Sequence, residues 1–254
     1  MEPRILKGRV VWVIGASGAI GSVVATCLAA AGAQTVVSAR SRDKLVELAA
    51  GIQTAGDRAH ARPLDLCDRA DVDAAAREIV AQFGSIDGLV NSTSLSIFGD
   101  FLELTDAQWL QVLDAKLMGY VRSMRAVLPV MVKQGSGAIV NISGRGGRQP
   151  TPAHLPGGSA NAAVNLIGKG LADIYRKHGI RINTVAPGPI RSDRFAKISA
   201  TNAVVSGGVA PRADLDFVGA PEDVADAVLW LLSDRARHVT GSVMPVDGGG
   251  TAAL

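Results

Sequence analysis

An unbroken apolar run, Val10 to Ile14, leads straight into three glycines spaced by threes, Gly15, Gly18 and Gly21, and then into an Ala-rich stretch, residues 23–31. An apolar run without alternation marks a strand buried on both faces, as in a parallel sheet. The glycines turn the chain tightly, and the small residues behind them read as a helix packed closely on that strand. Strand, glycine turn and helix N-terminus together make an anion site. Free backbone N–H groups and the positive end of the helix dipole converge there, and the missing Cβ atoms let a phosphate approach. The glycine spacing alone serves equally for a tight turn that only packs helix on strand. Its position decides for a dinucleotide, because it follows the first strand of a chain that alternates strands and helices throughout.

That alternation can be followed to the end. Residues 35–39, 60–64, 86–90, 138–142, 180–185 and 242–246 read as further strands. Residues 41–50, 70–82, 112–133, 159–177 and 221–232 read as helices, with Ser41 and Thr105 as N-caps. Residues 144–158 form a Gly- and Pro-rich loop, and residues 190–219 are the least regular segment, a candidate substrate cap. Strands alternating with helices predict an α/β fold: a doubly wound parallel sheet of about seven strands, with helices on both faces and right-handed crossovers. With no linker or repeat, the 254 residues are expected to form a single domain, 1–254.

Composition excludes several classes. The 26 Lys and Arg against 23 Asp and Glu leave a net charge of +3 without any basic block, so nucleic acid is not implied as a partner. No apolar run is long enough to span a bilayer and no signal peptide is evident, so no membrane partner and a cytoplasmic location are expected. Cys27 and Cys67 lack metal-ligand spacing, so no metal is expected. They read as buried or partly buried thiols in a reducing compartment.

Further marks follow in order: Asp65-Leu66, Leu89-Val-Asn91, Gly179-Ile-Arg-Ile-Asn183, Ala186-Pro-Gly-Pro189, Pro221-Glu-Asp-Val224, Val239-Thr-Gly-Ser242 and Val246-Asp-Gly-Gly249. With Gly15-Ala-Ser-Gly-Ala-Ile-Gly21, they make the chain resemble the short-chain dehydrogenase/reductase family over nearly its whole length. The resemblance implies a Rossmann-type fold and a nicotinamide dinucleotide. Gly15, Ser17, Gly18, Ile20 and Gly21 would line its phosphates, Asp65 and Leu66 its adenine, and Asn91 the adenosine-side ribose. Pro187, Gly188 and Ile190 would line the nicotinamide end. Two departures stand out: Ala19 replaces the family's middle glycine, and Asn91-Ser-Thr-Ser94 replaces its Asn-Asn-Ala-Gly. Family members that select NAD commonly carry an acid where this chain has Ala39. Here Arg40 follows instead, a planar donor fork that suits a 2′-phosphate, so NADP(H) is favoured over NAD(H). The family often pairs through helices corresponding to residues 112–133 and 159–177, which implies a homodimer or homotetramer.

The catalytic positions depart much further. The family's usual Asn, Ser, Tyr and Lys fall on Lys116, Gly144 (with Ser143 just before it), Gly157 and Asn161. Tyr120 and Tyr175 are expected inside helices, away from the catalytic loop. Lys116 and Asn161 read as an exchange of Lys and Asn between two facing helices. Lys116 is then either a partly desolvated acid or base, or a side chain that snorkels to solvent. On the loop, His154 is a candidate for the substrate wall. Ser143 and Ser159 are candidate hydrogen-bond donors, and Arg145 and Arg148 are either anion holders or surface. Residues 158–164 also look like the corresponding stretch of the family's dienoyl-CoA reductases, except for Asn161. Three functions follow for a small-molecule substrate: an NADP(H)-dependent reductase of carbonyls or conjugated enones, a cofactor-binding protein without turnover, or a scaffold for non-redox cyclase or lyase chemistry.

Overall fold

The structure is a computed structural model that describes residues 4–205 and 218–250. Its strands are β1 (Val10–Ile14), β2 (Gln34–Ser38), β3 (Arg58–Ala61), β4 (Gly88–Asn91), β5 (Gly137–Ile142), β6 (Ile180–Pro187) and β7 (Val243–Val246). The helices are α1 (Ala19–Ala30), α2 (Arg42–Thr54), α3 (Arg69–Phe83), α4 (Asp106–Val112), α5 (Gly119–Gln134), α6 (Leu155–Tyr175), α7 (Asp193–Val205) and α8 (Pro221–Leu232). All seven strands are parallel, in the order β3-β2-β1-β4-β5-β6-β7. The order reverses between β1 and β4, and in such sheets ligands bind in the crevice outside the carboxyl ends of the strands at that point.

Alternation along the buried strands sorts the core into two layers. Val11, Val13, Val37, Val90 and Val140 face α1 and α8 through Val24, Leu28, Val228 and Leu231. Trp12, Ile14, Val36, Leu89 and Ile139 face the other way, onto Ile79, Val127, Met131 and Val164 of α3, α5 and α6. The period-two pleat thus explains why β1 must be apolar at every position.

Several boundaries differ from the sequence reading, each for a local reason. The third strand stops at Ala61, ahead of Pro63, which has no N–H to give a ladder. Ser41 stands at the N-cap of α2 without a capping hydrogen bond, whereas Thr105 and Gln108 form a reciprocal capping box. α6 begins at Leu155 rather than 159, because Pro156 in its first turn is already set for helical φ. The helix expected to start near Asp106 after the Thr105 cap is α4, and the expected helix 112–133 is a wider π-helical segment, Leu113–Met118, followed by α5. Within the stretch expected to be irregular, Asp193–Val205 is helical, and residues 206–217 lie outside the described part. Cys27 is half-buried as expected, but Cys67 is exposed, since it follows the buried Leu66 on the turn into α3.

A polar clamp joins the two central strands. Asn91 and Asn141 are register partners on β4 and β5, and Asn91 Nδ2 donates to Asn141 Oδ1 at 2.9 Å. Ser123 Oγ on α5 donates to Asn91 Oδ1 at 2.8 Å, and all three side chains are fully buried. Truncating Asn91 to Ala leaves the buried Asn141 Oδ1 without its donor, while Ser123 Oγ keeps the Tyr120 carbonyl, and costs roughly 1–3 kcal/mol. The denaturation midpoint should fall accordingly, and an unchanged midpoint would show that the clamp contributes nothing.

Candidate active site and cofactor crevice

The glycine turn is held by close backbone contacts. Gly15 has φ +85°, and a Cβ there would lie 2.7 Å from the carbonyl of Ser92, at the end of β4. A Cβ on Gly21 would lie 2.2 Å from the oxygen of Gly15. Gly18, the N-cap of α1, is not required on steric grounds, since a Cβ there meets only Gly15 O at 3.5 Å. No side chain caps α1, so the N–H groups of its first turn open toward the crevice beside Ser17 and Ile20. This cradle fits a dinucleotide phosphate.

Around it the other expected contacts divide. At the end of β2, Ser38 Oγ accepts from Trp12 Nε1 at 2.9 Å, Ala39 is half-buried, and the Arg40 guanidinium is exposed. Asp65 is exposed, with its carboxylate accepting from Cys67 N at 3.0 Å. Leu66 packs its side chain into the notch left by Gly119. Asn91, expected near the adenosine-side ribose, ends β4 at the crevice and spends its side-chain amide in the buried clamp. At the nicotinamide end, Pro187 closes β6 and Gly188 N donates to Val246 O at 3.0 Å. A Cβ on Gly188 would lie 2.7 Å from Asp247 Cβ, while Ile190 is buried and bridges to Gly219.

The structure brings Lys116, Ser143, His154 and Asn161 together below this crevice, all buried. Lys116 sits in the π-helical segment, a geometry that recurs at functional sites. Its Nζ donates to the carbonyls of Ile142 and Ser143 at 3.2 Å each and lies 5.6 Å from the centre of the Tyr120 ring. Burial, and then the charge of Arg194, push its pKa down to about 7. Snorkelling to solvent is therefore excluded. Ser143 Oγ, at the end of β5, lies 3.4 Å from Val185 O.

The imidazole of His154 lies directly against Gly157. A Cβ on Gly157 would fall 1.9 Å from Cε1 and 2.0 Å from Nε2 of the imidazole. The ring packs edge-on against Phe98, with centroids 5.0 Å apart, and its Nε2 is 3.1 Å from Arg194 Nη2. An arginine only donates, so Nε2 accepts and the ring proton sits on Nδ1. Burial, then Arg194 and Lys116, lower the His154 pKa to about 4 and keep the ring neutral. Asn161 Oδ1 is buried without a hydrogen-bond partner, an acceptor suited to a ribose hydroxyl, and its Nδ2 packs against Gly144.

Two members of the cluster escaped the sequence reading. Tyr120 was expected away from the loop, yet its hydroxyl reaches the carbonyls of Ile142 at 3.0 Å and Thr93 at 3.1 Å. Arg194 of α7 donates to Leu95 O at 2.5 Å and Ser96 Oγ at 3.2 Å and lies over the Phe98 ring at 4.9 Å. The only sequence signal for Tyr120 was its spacing of one helical turn from Lys116. For Arg194 there was none, since α7 lies in the segment without periodicity. Ser159 is exposed and lines a pocket of about 200 Å³ with His154, while Arg148 is exposed and Arg145 half-buried. Among the described residues, no group of three His, Cys, Asp or Glu is placed to hold a metal, and no helix is long and apolar enough to cross a membrane.

Comparisons with known proteins agree with this fold. A family model described as enoyl-(acyl carrier protein) reductase matches residues 15–251. The chain is 33% identical to 3beta-hydroxysteroid dehydrogenase 1 of Eggerthella lenta, over 97% of this chain and 95% of that protein. The structure of a gluconate 5-dehydrogenase from Burkholderia cenocepacia in complex with NADP and tartrate superposes with TM-score 0.90 at 28% identity, covering 99% of this chain and 98% of that one. NAD+-bound xylitol dehydrogenase superposes with TM-score 0.91 at 24% identity, covering 96% and 99%, which bears on the fold.

The overlap of position 157 with the imidazole is measurable. Gly157→Ala should destabilise the protein by roughly 1–3 kcal/mol through overpacking. In a His154→Ala background the same change should be neutral or stabilising, because Ala is the better helix former. Denaturant titration of the four proteins gives the coupling. Equal effects in both backgrounds would show that the ring does not hold that space.

Proposed function

The chain belongs to the short-chain dehydrogenase/reductase family of oxidoreductases, and from that premise we propose that it is an NADP(H)-dependent reductase with a rebuilt proton relay. Its substrate is a small molecule with a carbonyl or a conjugated enone. The observation that carries this reading is that the catalytic positions are refilled rather than emptied: Lys116 replaces the cation from the opposite wall, and His154 fills the space of the tyrosine. When bound, the cofactor supplies the hydride. The chain's own residues supply the rest. Asn161 holds the nicotinamide ribose through Oδ1, and Ser143 contacts the substrate oxygen. Lys116, poised near neutrality, gives that oxygen its proton. His154 orients substrate as a neutral ring. Tyr120 is no proton donor, because burial drives its pKa far above the ordinary phenol value.

Arg40, beside Ala39 and without an acid neighbour at that position, supports the preference for NADP(H). Exposed Leu110, Met118, Leu166 and Ile174 on or beside α4, α5 and α6 support pairing of copies through these helices, as a homodimer or homotetramer. The single-domain reading and the cytoplasmic location belong to the same proposal. A second reading, cofactor binding without turnover, draws on the two backbone carbonyls that already hold the Lys116 ammonium.

Two measurements test the proposal. Arg40→Ala should weaken NADPH binding by roughly 1–3 kcal/mol, as for a charge-assisted hydrogen bond, and hardly change NADH. Equal wild-type affinities for the two cofactors would reject the preference. Turnover is followed as NADPH consumption over a panel of carbonyls and conjugated enones. Lys116→Ala should lower kcat by about 10²–10⁴-fold with NADPH affinity intact. Since the ammonium is the donor, wild-type kcat should fall as pH rises above about 7. A variant as active as wild type, or a rate flat across that range, would remove Lys116 from the relay. No consumption with any substrate would favour the second reading.

A further inference from the structure

Arg194 is a largely enclosed guanidinium whose partners are all neutral. Nη1 gives its two hydrogens to Leu95 O and Ser96 Oγ, and Nη2 gives one to His154 Nε2. Among the described residues, that leaves Nε–H and one Nη2–H without a hydrogen-bond acceptor. Lys116, the neighbouring cation, likewise meets only carbonyls and a ring face. Elsewhere several arginines pair with acids, Arg62 with Asp71 and Glu78, Arg122 with Asp114, Arg9 with Asp87 and Asp234, whereas Arg181 has its donors taken up by the carbonyls of Leu231, Leu232 and Ser233. Among the described residues, no carboxylate forms an ion pair with Arg194 or Lys116. An unpaired charge taken out of water is costly, and a site that keeps two such charges favours a ligand that brings the counter-charge.

A second observation points the same way. The neutral His154 ring meets Arg194 through its acceptor Nε2, while its Nδ1–H faces the Ile97 carbonyl, so the ring brings no counter-charge to the guanidinium. Arg194's two open donors are an arrangement that takes an oxyanion. We propose that the substrate carries a carboxylate, an oxo acid or an unsaturated oxo acid, whose oxygens are bound by the Arg194 guanidinium next to His154. This rests on the preceding reading only in placing the substrate beside Lys116. The mutual repulsion of the basic groups supports it. Beyond the effect of burial, Arg194 lowers the pKa of Lys116, and Arg194 and Lys116 both lower that of His154.

The test compares acids with their neutral twins. Acetoacetate, levulinate and 2-oxobutanoate, each beside its methyl ester, are titrated calorimetrically into the full chain with NADPH present, and NADPH consumption is followed in parallel. At least one acid should bind 10-fold or more tighter than its ester. Arg194→Met should weaken that acid by roughly 10- to 100-fold and leave the ester unchanged, while Arg194→Lys keeps part of the preference. The wild-type comparison of acid and ester stands even if Arg194→Met loosens α7. Esters that bind as well as acids, or no binding by any acid, would overturn the proposal. Reduction of acids and esters alike would overturn it while leaving the reductase reading intact. Tight, Arg194-dependent binding of an acid without NADPH consumption would support the anion site and sink the reductase reading.

Discussion

The approach of three backbones to one point governs the rest of the molecule. Gly15 lies against the carbonyl of Ser92, and Gly21 lies against the oxygen of Gly15, both closer than any side chain permits. These contacts seat the start of α1 on the ends of β1 and β4, where the strand order reverses. They fix the crevice, and they bring the chain leaving β4 (Ser92 to Ser96) alongside the cluster that Arg194 closes. Two methyl groups there would displace the anion cradle and the substrate wall together.

Below the crevice, Lys116, His154, Asn161 and Arg194 form a packed cluster rather than a hole. Dense interiors do not tolerate unfilled space. Without a side chain at 157, the imidazole of His154 turns into the vacated volume and is held there by Phe98 and Arg194. This also explains why tyrosine at 157 and lysine at 161 would not simply restore the family's site: the ring would have to leave first, and two ammonium groups would then share one desolvated space with Arg194. The substitutions at 116, 157 and 161 therefore act as one unit.

What the sequence made legible follows from what each signal depends on. The seven strands and the crevice were readable because buried apolar runs and glycine turns are local properties with one sterically allowed reading. Asn91 shows the limit of a motif: its position at the strand end is right, but its amide faces Asn141 and Ser123, a contact 32 to 50 residues away in sequence. Tyr120 and Arg194 lay beyond reach for the same reason. Helical wheels place Tyr120 one turn from Lys116, but only the tertiary fold brings its hydroxyl to Ile142, and Arg194 meets His154 across 40 residues of chain.

The electrostatics of the cluster give these distant contacts a single consequence. Lys116 is held near neutrality by burial and by the charge of Arg194, so its protonation depends on what Arg194 faces. With water or a neutral ligand there, the guanidinium repels the ammonium and favours the free amine. A carboxylate on Arg194 screens that repulsion and adds an attraction of its own, and an opposite charge within about 4–6 Å typically raises the pKa of such a cation. Anion binding would then raise the protonated share of Lys116 in the step that seats the substrate, on top of the larger effect of burial. A tyrosine tuned by a fixed lysine is poised regardless of its ligand. On that proposal the positive charge stands on one wall and its regulator on α7, and occupancy of the second would bias the state of the first.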